Sequence, residues 1–351
     1  MRIGFLTSTP LDVVGGSGTF VGLSTLAVAL RRMGVEVEIV APGSRFPIYT
    51  ARRWWFNHQL RRRRWDGFDL LVGFDLDGYR IAGRTGRPQV ASIKGVIADE
   101  LRFEGGLARF TMSMQAAWEA EHVRRAGLVM TTSSYSAHRI QELYGLPKLP
   151  RIVPEAIDLT AWRELLARNR VALQPGRFVV LTVCRFYPRK RLPLLLEAAE
   201  RLRQEIPALE FRIVGDGPER GRLHALLGDG RLQDTVRWLG NLSAGDLARE
   251  YNRCDVFCLP SVQEGFGIVF LEAMAAGKPI VAANAAAVPE VVPQGLLVEP
   301  ESGAALADGL RRIHGDVALR ARLSEAGRVA VERYAAPNVA ELFLCEVRAL
   351  L

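Results

Sequence analysis

Short apolar runs alternate along this chain with longer segments whose apolar positions recur every three or four residues. The runs predict strands at Arg2–Thr7, Glu36–Ala41, Leu70–Val72, Gln89–Ile93 and Leu128–Thr131. Between them, Leu23, Leu26, Ala27 and Leu30 fall at i, i+3, i+4 and i+7, one face of a helix over 19–33. Residues 106–126 and 134–144 also read as helices, the latter with Ser134 as N-cap and Gly145 as its stop. A second series follows Pro175-Gly176, with strands at Phe178–Val183, Glu210–Val214, Val236–Leu239, Val256–Leu259 and Pro279–Ala282, and helices at 192–204, 219–227, 244–254 and 268–276. Strand–helix alternation implies parallel sheets with helices on both faces, so two series predict two doubly wound α/β domains. The switch is placed at Pro154–Leu173, giving domains 1–155 and 156–336. Helical patterns close the chain at 302–315, 317–333 and 337–351, the last expected to pack back on the first domain.

A length of 351 residues suits two domains, and 49% hydrophobic with 24% charged residues suits a soluble globular protein. No apolar run reaches the length of a membrane span, and MRIGFLTSTP reads as a strand cut short by Pro10, not as a signal peptide, so a cytoplasmic location is expected. The net charge of +8 comes mostly from arginine, which favours phosphates or an anionic membrane surface as partners. The densest cluster, WWFNHQLRRRR at 54–64, has the make-up of a basic amphipathic helix lying on the cytoplasmic face of a membrane; a solvated helix with an apolar inner face is the alternative. Dispersed basic residues and the absence of a recognised module argue against nucleic acid. Cys184, Cys254, Cys258 and Cys345 form no Cys-x-x-Cys pair, and the five histidines have no ligand spacing, so buried thiols and no metal are expected.

The strongest chemical motif is EGFGIVFLE, 264–272, which follows a strand and opens a helix. Glu264 stands in the loop and Glu272 on the second turn, roughly 7–8 Å apart along the axis at about 1.5 Å per residue. That spacing suits one carboxylate on a hexose and another on a ribose. Gly265 and Gly267 allow close backbone approach, and the N–H groups of Phe266, Gly267 and Ile268 begin the helix, where anions bind. In VCRFYPRKR, 183–191, Arg185 and Lys190 follow the first strand of the second domain and can neutralise a diphosphate leaving group. GDGP, 215–218, provides a tight turn from Gly215. In the first domain, Gly15, Gly16 and Gly18 precede a helix, without the register of a dinucleotide fingerprint or a P-loop. FDLD, 74–77, contains an Asp-x-Asp, read as the loop after a strand and not as a metal–diphosphate site.

Arg185 with Lys190, GDGP, the Glu-x7-Glu of 264–272 and GKPIVA at 277–282 together resemble glycosyltransferase family 4 (glycosyl transferases group 1). The resemblance covers the whole chain and is strongest in 178–300. It implies the GT-B fold, two facing Rossmann-like domains, and retention at the anomeric carbon. It also implies no metal or other cofactor, with a nucleotide-diphosphate sugar, UDP or GDP foremost, as donor substrate. By that likeness Arg185 and Lys190 hold the diphosphate, Glu264 the sugar hydroxyls and Glu272 the ribose. The backbone of Phe266, Gly267 and Ile268 meets sugar and phosphate, and segment 237–242, with Leu239, lies near the base. Gly15 and Gly16 lie near the phosphate and the acceptor. One departure stands out. Where the family often has a histidine near the reacting sugar, this chain has Lys94, a point charge suited to a phosphate or an anionic sugar, followed by Asp99 and Glu100 on the acceptor side.

The implied activity is transfer of a sugar to an acceptor hydroxyl on a sugar, glycolipid or small molecule. The leaving diphosphate takes the acceptor's proton, and a covalent role for Glu264 is the less favoured route. Two rivals use the same groups: a nucleotide-sugar epimerase, which would turn over donor without acceptor, and a non-catalytic nucleotide-sugar-binding protein.

Overall fold

The computed structural model describes all residues except 12, 44–47, 173–174, 229 and 231, and gives the backbone alone for 13–17. It divides into two compact units, Met1–Ala156 with Ala336–Leu351, and Ile157–Ala335.

The first unit runs β1 (Arg2–Leu6), α1 (Val13–Arg32), β2 (Glu36–Val40), α2 (Tyr49–Leu60), β3 (Leu70–Phe74), β4 (Gln89–Ile93), α3 (Ile97–Glu100), α4 (Gly106–Arg125), β5 (Leu128–Thr131), α5 (Ser134–Tyr144) and β6 (Arg151–Ile152). Its parallel sheet has the order β2-β1-β3-β4-β5-β6. Every residue of β3 and β4 is buried, as expected for strands covered on both faces. The apolar face of α1 packs as its periodicity predicts, with Leu23, Leu26, Ala27 and Leu30 buried against Ile3, Phe5 and Val72. The helix begins earlier than predicted, however, and takes Gly15, Gly16 and Gly18 into its first turns. Glycine disfavours helix by about 1 kcal/mol per residue, so periodicity alone starts the helix later; the long buried face downstream carries these extra turns. The cap of α5 also differs by one residue. Ser133, still extended, accepts the Ser136 N–H, and Gly145 at φ +69° ends the helix.

The second unit contains α6 (Leu159–Arg168), β7 (Phe178–Val183), α7 (Leu192–Leu202), β8 (Leu209–Val214), α8 (Arg220–Leu226), β9 (Val236–Gly240), α9 (Ala244–Arg253), β10 (Val256–Leu259), α10 (Ile268–Ala275), β11 (Ile280–Ala283), α11 (Val288–Val291), β12 (Leu296–Val298), α12 (Gly303–Gly315) and α13 (Val317–Ala330). Its order, β12-β11-β10-β7-β8-β9, reverses direction between β7 and β10, the arrangement of a doubly wound Rossmann-like sheet. The stretch read as an interdomain switch holds α6, capped by Asp158 and burying Leu159, Trp162 and Leu166; Leu173 lies outside the described residues. The last helix, α14 (Ala336–Arg348), belongs to the first unit. It buries Val339, Ala340, Phe343 and Val347, with Phe343 edge-on to Phe5 at 6.4 Å. The two short strands β6 and β12 carry too few residues to show a period, and were not predicted.

Candidate active site

In a doubly wound sheet, ligands bind beyond the carboxyl ends of the strands, at the point where strand order reverses. In the second unit that point lies between β7 and β10. The loop after β7 carries Arg185 and then a short 3-10 turn, Pro188–Lys190; the loop after β10 carries Ser261 to Gly267. The two loops are tied by the Val262 N–H donating to the Arg189 carbonyl at 3.0 Å. Lys190 Nζ donates to Glu264 Oε1 at 2.5 Å, with both side chains nearly buried. The structure thus joins the two charged groups singled out from separate motifs.

The loop after β8 is fitted against the same turn. Gly215 stands at φ +125°, and a Cβ there would lie 1.9 Å from the Cys184 carbonyl oxygen; at Gly217 a Cβ would meet the Phe186 backbone. Phe186 N–H donates to the Asp216 carbonyl at 3.0 Å, and Gly215 N–H donates to the Gly240 carbonyl at 2.8 Å. The glycines of GDGP therefore serve close loop-to-loop packing, which sets the position of the turn bearing Lys190. Leu239 lies at the end of β9, half-buried against the core that includes Phe266.

Gly267, at φ +93°, caps α10 and Ile268 opens it. Phe266 is buried, its ring edge-on to Tyr334 at 5.2 Å, so the loop's backbone is anchored by an aromatic contact. In the same loop Ser261 Oγ and Gln263 Oε1 are buried with no hydrogen-bond partner. On α10, Glu272 accepts a hydrogen bond from the Tyr251 hydroxyl at 2.9 Å, and its carbonyl accepts from Trp162 Nε1 at 3.1 Å. Burial pushes the Glu272 carboxyl up to about 7, with the Tyr251 bond acting the other way. Tyr251 was not singled out from the sequence; only its place in α9, facing α10 in the fold, reveals it.

That shift has a consequence for stability. The folded value lies above the ordinary 4.5, so the stability associated with a protonated Glu272 is complete below that pH and is lost as pH rises through about 7. Glu272→Gln, which cannot ionise, is expected to match the wild type near about pH 5 and to exceed it by about 2–3 kcal/mol near about pH 8.5. Urea unfolding at the two pH values measures this; equal differences at both would refute it.

In the first unit Lys94 follows β4. Its Nζ donates to Glu155 Oε2 at 3.1 Å, both side chains being almost fully buried, and it lies 5.9 Å from the centre of the Phe74 ring. A Cβ on Gly22 would lie 2.2 Å from the same Glu155 oxygen, so α1 makes room for this carboxylate only by having glycine there. Gly15 and Gly16 contribute backbone N–H groups to the first turn of α1. Asp99 is fully buried and engaged: Oδ1 accepts from Arg139 Nε at 2.9 Å and pairs with Arg102, and Oδ2 accepts from the Tyr135 hydroxyl at 2.7 Å. Its carboxylate braces α3 against α5. FDLD is the turn after β3, as read. Asp77 accepts from Ser8 N–H (2.6 Å), Ser8 Oγ (2.7 Å) and Asn57 Nδ2 (2.8 Å), locking the loops after β1 and β3 together. Among the described residues no group of histidine, cysteine and acidic side chains could hold a metal ion.

Of the segment 54–64, read as one basic helix, only 54–60 is helical, as the end of α2; it turns Phe56 and Leu60 into a core with Trp65 and Phe68, while Arg61 to Arg64 follow the helix and are exposed. No helix of the described residues is long and apolar enough to cross a membrane.

Two Rossmann-like units with sheets of this topology are those of the GT-B fold. A model of the glycosyl transferases group 1 matches residues 166–330, and one of glycosyltransferase family 4 matches residues 14–161, so that the two together span most of the chain. The chain belongs to glycosyltransferase family 4. It is 30% identical over 227 residues to the GDP-mannose-dependent alpha-(1-6)-phosphatidylinositol monomannoside mannosyltransferase of Mycobacterium tuberculosis, a match covering 59% of this chain and 58% of the relative. To the D-inositol 3-phosphate glycosyltransferase of Salinispora arenicola it is 36% identical over 195 residues, covering 51% and 43%. The matched part is thus only about half the length of these relatives. Sucrose-phosphate synthase from Thermosynechococcus elongatus shares the fold, with a TM-score of 0.83 over 99% of this chain and 98% of that one at 22% identity.

Proposed function

We propose that this protein is a retaining glycosyltransferase that moves a sugar from a nucleoside diphosphate to an acceptor hydroxyl without a metal ion. The observation that carries the proposal is the buried Lys190–Glu264 pair at the switch point of the second unit. Lys190 has three donors and Glu264 engages one of them. The remaining two suit a diphosphate, and the far side of the Glu264 carboxylate suits sugar hydroxyls. Ser261 Oγ and Gln263 Oε1, buried without partners, are groups that a bound sugar or an ordered water would satisfy. Arg185 completes the diphosphate site, the backbone from Phe266 to Ile268 follows the sugar and phosphate, Glu272 holds the ribose, and Gly215 and Leu239 border the base. In the first unit, Gly15, Gly16 and Lys94 stand on the acceptor side.

In the reaction, the bond from the anomeric carbon to the diphosphate oxygen breaks and a bond to the acceptor oxygen forms on the same face. The acceptor's proton passes to the departing phosphate, whose charge Arg185 and Lys190 stabilise. The names of the relatives favour a GDP-linked hexose and an inositol-bearing or glycolipid acceptor. Family membership weighs against an epimerase, which would consume donor with no acceptor present.

Calorimetry with UDP, GDP, ADP and dTDP in EDTA tests the donor site. One nucleotide is expected to bind in the chelator, and Glu272→Ala is expected to weaken it at least about tenfold, the scale of one or two lost charge-assisted hydrogen bonds. Binding that requires metal and ignores Glu272 would overturn the assignment.

A further inference from the structure

Asp75, the first residue after β3, is buried and stands at φ +54°, a left-handed conformation open mainly to glycine and, less often, to Asp and Asn. Its surroundings hold it there. Its N–H donates to the Ser92 carbonyl at 3.0 Å, and its own carbonyl meets His122 Nδ1 at 2.6 Å. At Gly73 a Cβ would lie 1.9 Å from the Asp77 carbonyl oxygen, so β3 leaves room for the loop to double back. His122 Nε2 faces Gln89 Nε2 at 3.1 Å, and burial pushes the ring down to about 4, so it stays neutral and donates from Nδ1.

So held, Asp75 turns its carboxylate onto the end of β4. Oδ1 accepts from the Lys94 N–H at 2.8 Å and from the Gly95 N–H at 3.5 Å. The amides that follow are caught in the same way. Ile97 N–H donates to Glu119 Oε2 at 2.9 Å, and Ala98 N–H to the Tyr144 hydroxyl at 3.2 Å, a hydroxyl that is itself bonded to Glu119. Beyond Ile93 the backbone that carries Lys94 toward α3 therefore hangs on buried side chains, and Asp75 is the one that reaches Lys94 itself.

The groups packed around Asp75 do little to favour its charge. Arg53 Nη2 of α2 lies 3.9 Å from both Asp75 Oδ2 and Asp77 Oδ2, outside hydrogen-bond distance of either. Lys94 is matched by Glu155, and burial raises Asp77 on the same loop, Glu119 of α4 and Tyr144 of α5 as well. Burial pushes the Asp75 carboxyl up to about 6, with Arg53 and the Lys94 bond acting the other way. The folded value lies above the ordinary 3.8, so stability tied to the protonated form is lost as pH rises through about 6. An ionised Asp75 thus destabilises the fold near neutral pH, and what it secures is the placement of one turn of backbone.

We propose that Asp75 is a positioning residue for sugar transfer: its ionised carboxylate sets the backbone of Lys94, and with it the direction of the ammonium group that Glu155 holds. Asp75 acts through Lys94, whose acceptor-side role belongs to the proposed function.

Asp75→Asn tests it, because asparagine keeps the shape and tolerates the left-handed conformation but is neutral at every pH. Above about pH 7, hydrogen exchange at Lys94 and Gly95 is expected to speed up roughly tenfold, the difference between a charge-assisted and a neutral hydrogen bond. Binding of UDP and GDP by calorimetry should not change. Transfer is followed as UDP or GDP released from UDP-glucose or GDP-mannose with an inositol phosphate as acceptor. There kcat should fall by about the same tenfold with KM for the donor unchanged. The wild type should lose kcat as pH falls through about 6, whereas the variant stays at the low rate throughout. Near about pH 8 the variant should melt no lower than the wild type, which a merely structural bond would not allow. In a Lys94→Ala background the same replacement should leave kcat where it is. Unchanged exchange at Lys94, an acid limb that persists in Asp75→Asn, or an equal further loss in the Lys94→Ala background would overturn the proposal. A wild type that binds neither nucleotide, or releases neither, would fail the proposed function itself and take this role of Asp75 with it, even where the exchange result holds.

Discussion

Lys190→Ala is expected to slow sugar transfer roughly a thousandfold, the scale seen when one group stabilising a developing charge is removed, and to cost about 3–5 kcal/mol of stability by leaving a buried carboxylate unpaired. The two losses have one origin. Without donor, Lys190 and Glu264 compensate each other in a place where little water reaches either. Under the proposed function Lys190 would meet the charge of an arriving diphosphate while keeping its bond to Glu264, so the group that stabilises the leaving phosphate would also fix the carboxylate that reads the sugar. Glu264→Gln separates the roles, because an amide can still meet a sugar hydroxyl but no longer balances the ammonium. In the double variant Lys190→Ala/Glu264→Gln no charge is stranded, so most of the stability should return while transfer stays low. Urea unfolding and initial rates on the three variants decide this. A lysine variant that transfers within about threefold of the wild type, or a double variant no more stable than Lys190→Ala, would remove Lys190 from the diphosphate site.

Much of this arrangement was legible in the chain because parallel strands and amphipathic helices write their periods directly. Phe178–Val183 and Val256–Leu259 were bounded correctly, and the loops after them hold the groups singled out for chemistry. The order of strands was not legible, since it depends on which strands pair at long range; only the order reveals that the loops after β7 and β10 are neighbours. Buried polar partners were hidden for the same reason. Glu155, Tyr251 and Ser8 stand far in sequence from Lys94, Glu272 and Asp77, and nothing local distinguishes them from surface residues. The glycines of GDGP had a visible reason to be there, a tight turn, but the partner they approach, the Cys184 carbonyl, had to be seen in the fold.

Lys94 is where resemblance and structure pull in different directions, and its replacement is the second large effect. At a position where the family often has histidine, a free lysine would offer a full charge to a phosphate. Here Glu155 already balances that charge, and Gly22 is shaped around the carboxylate. The pair therefore carries no net charge, and under the proposed function Lys94 would serve as an oriented donor whose direction Glu155 sets. Lys94→Ala is expected to cost about 3–5 kcal/mol by stranding Glu155. Lys94→Ala/Glu155→Gln should recover about half of this, a coupling that a double-mutant cycle in urea reads out. Gly22→Ala should approach the cost of the single lysine variant although it removes no charge, because its methyl group displaces the same carboxylate. In transfer assays Lys94→Ala should lower kcat at least about tenfold, with the double variant equally slow despite its recovered stability. A cost below about 1 kcal/mol, with KM for an anionic acceptor rising steeply, would mean that the lysine acts as a free cation after all, and that Glu155 releases it when the acceptor binds.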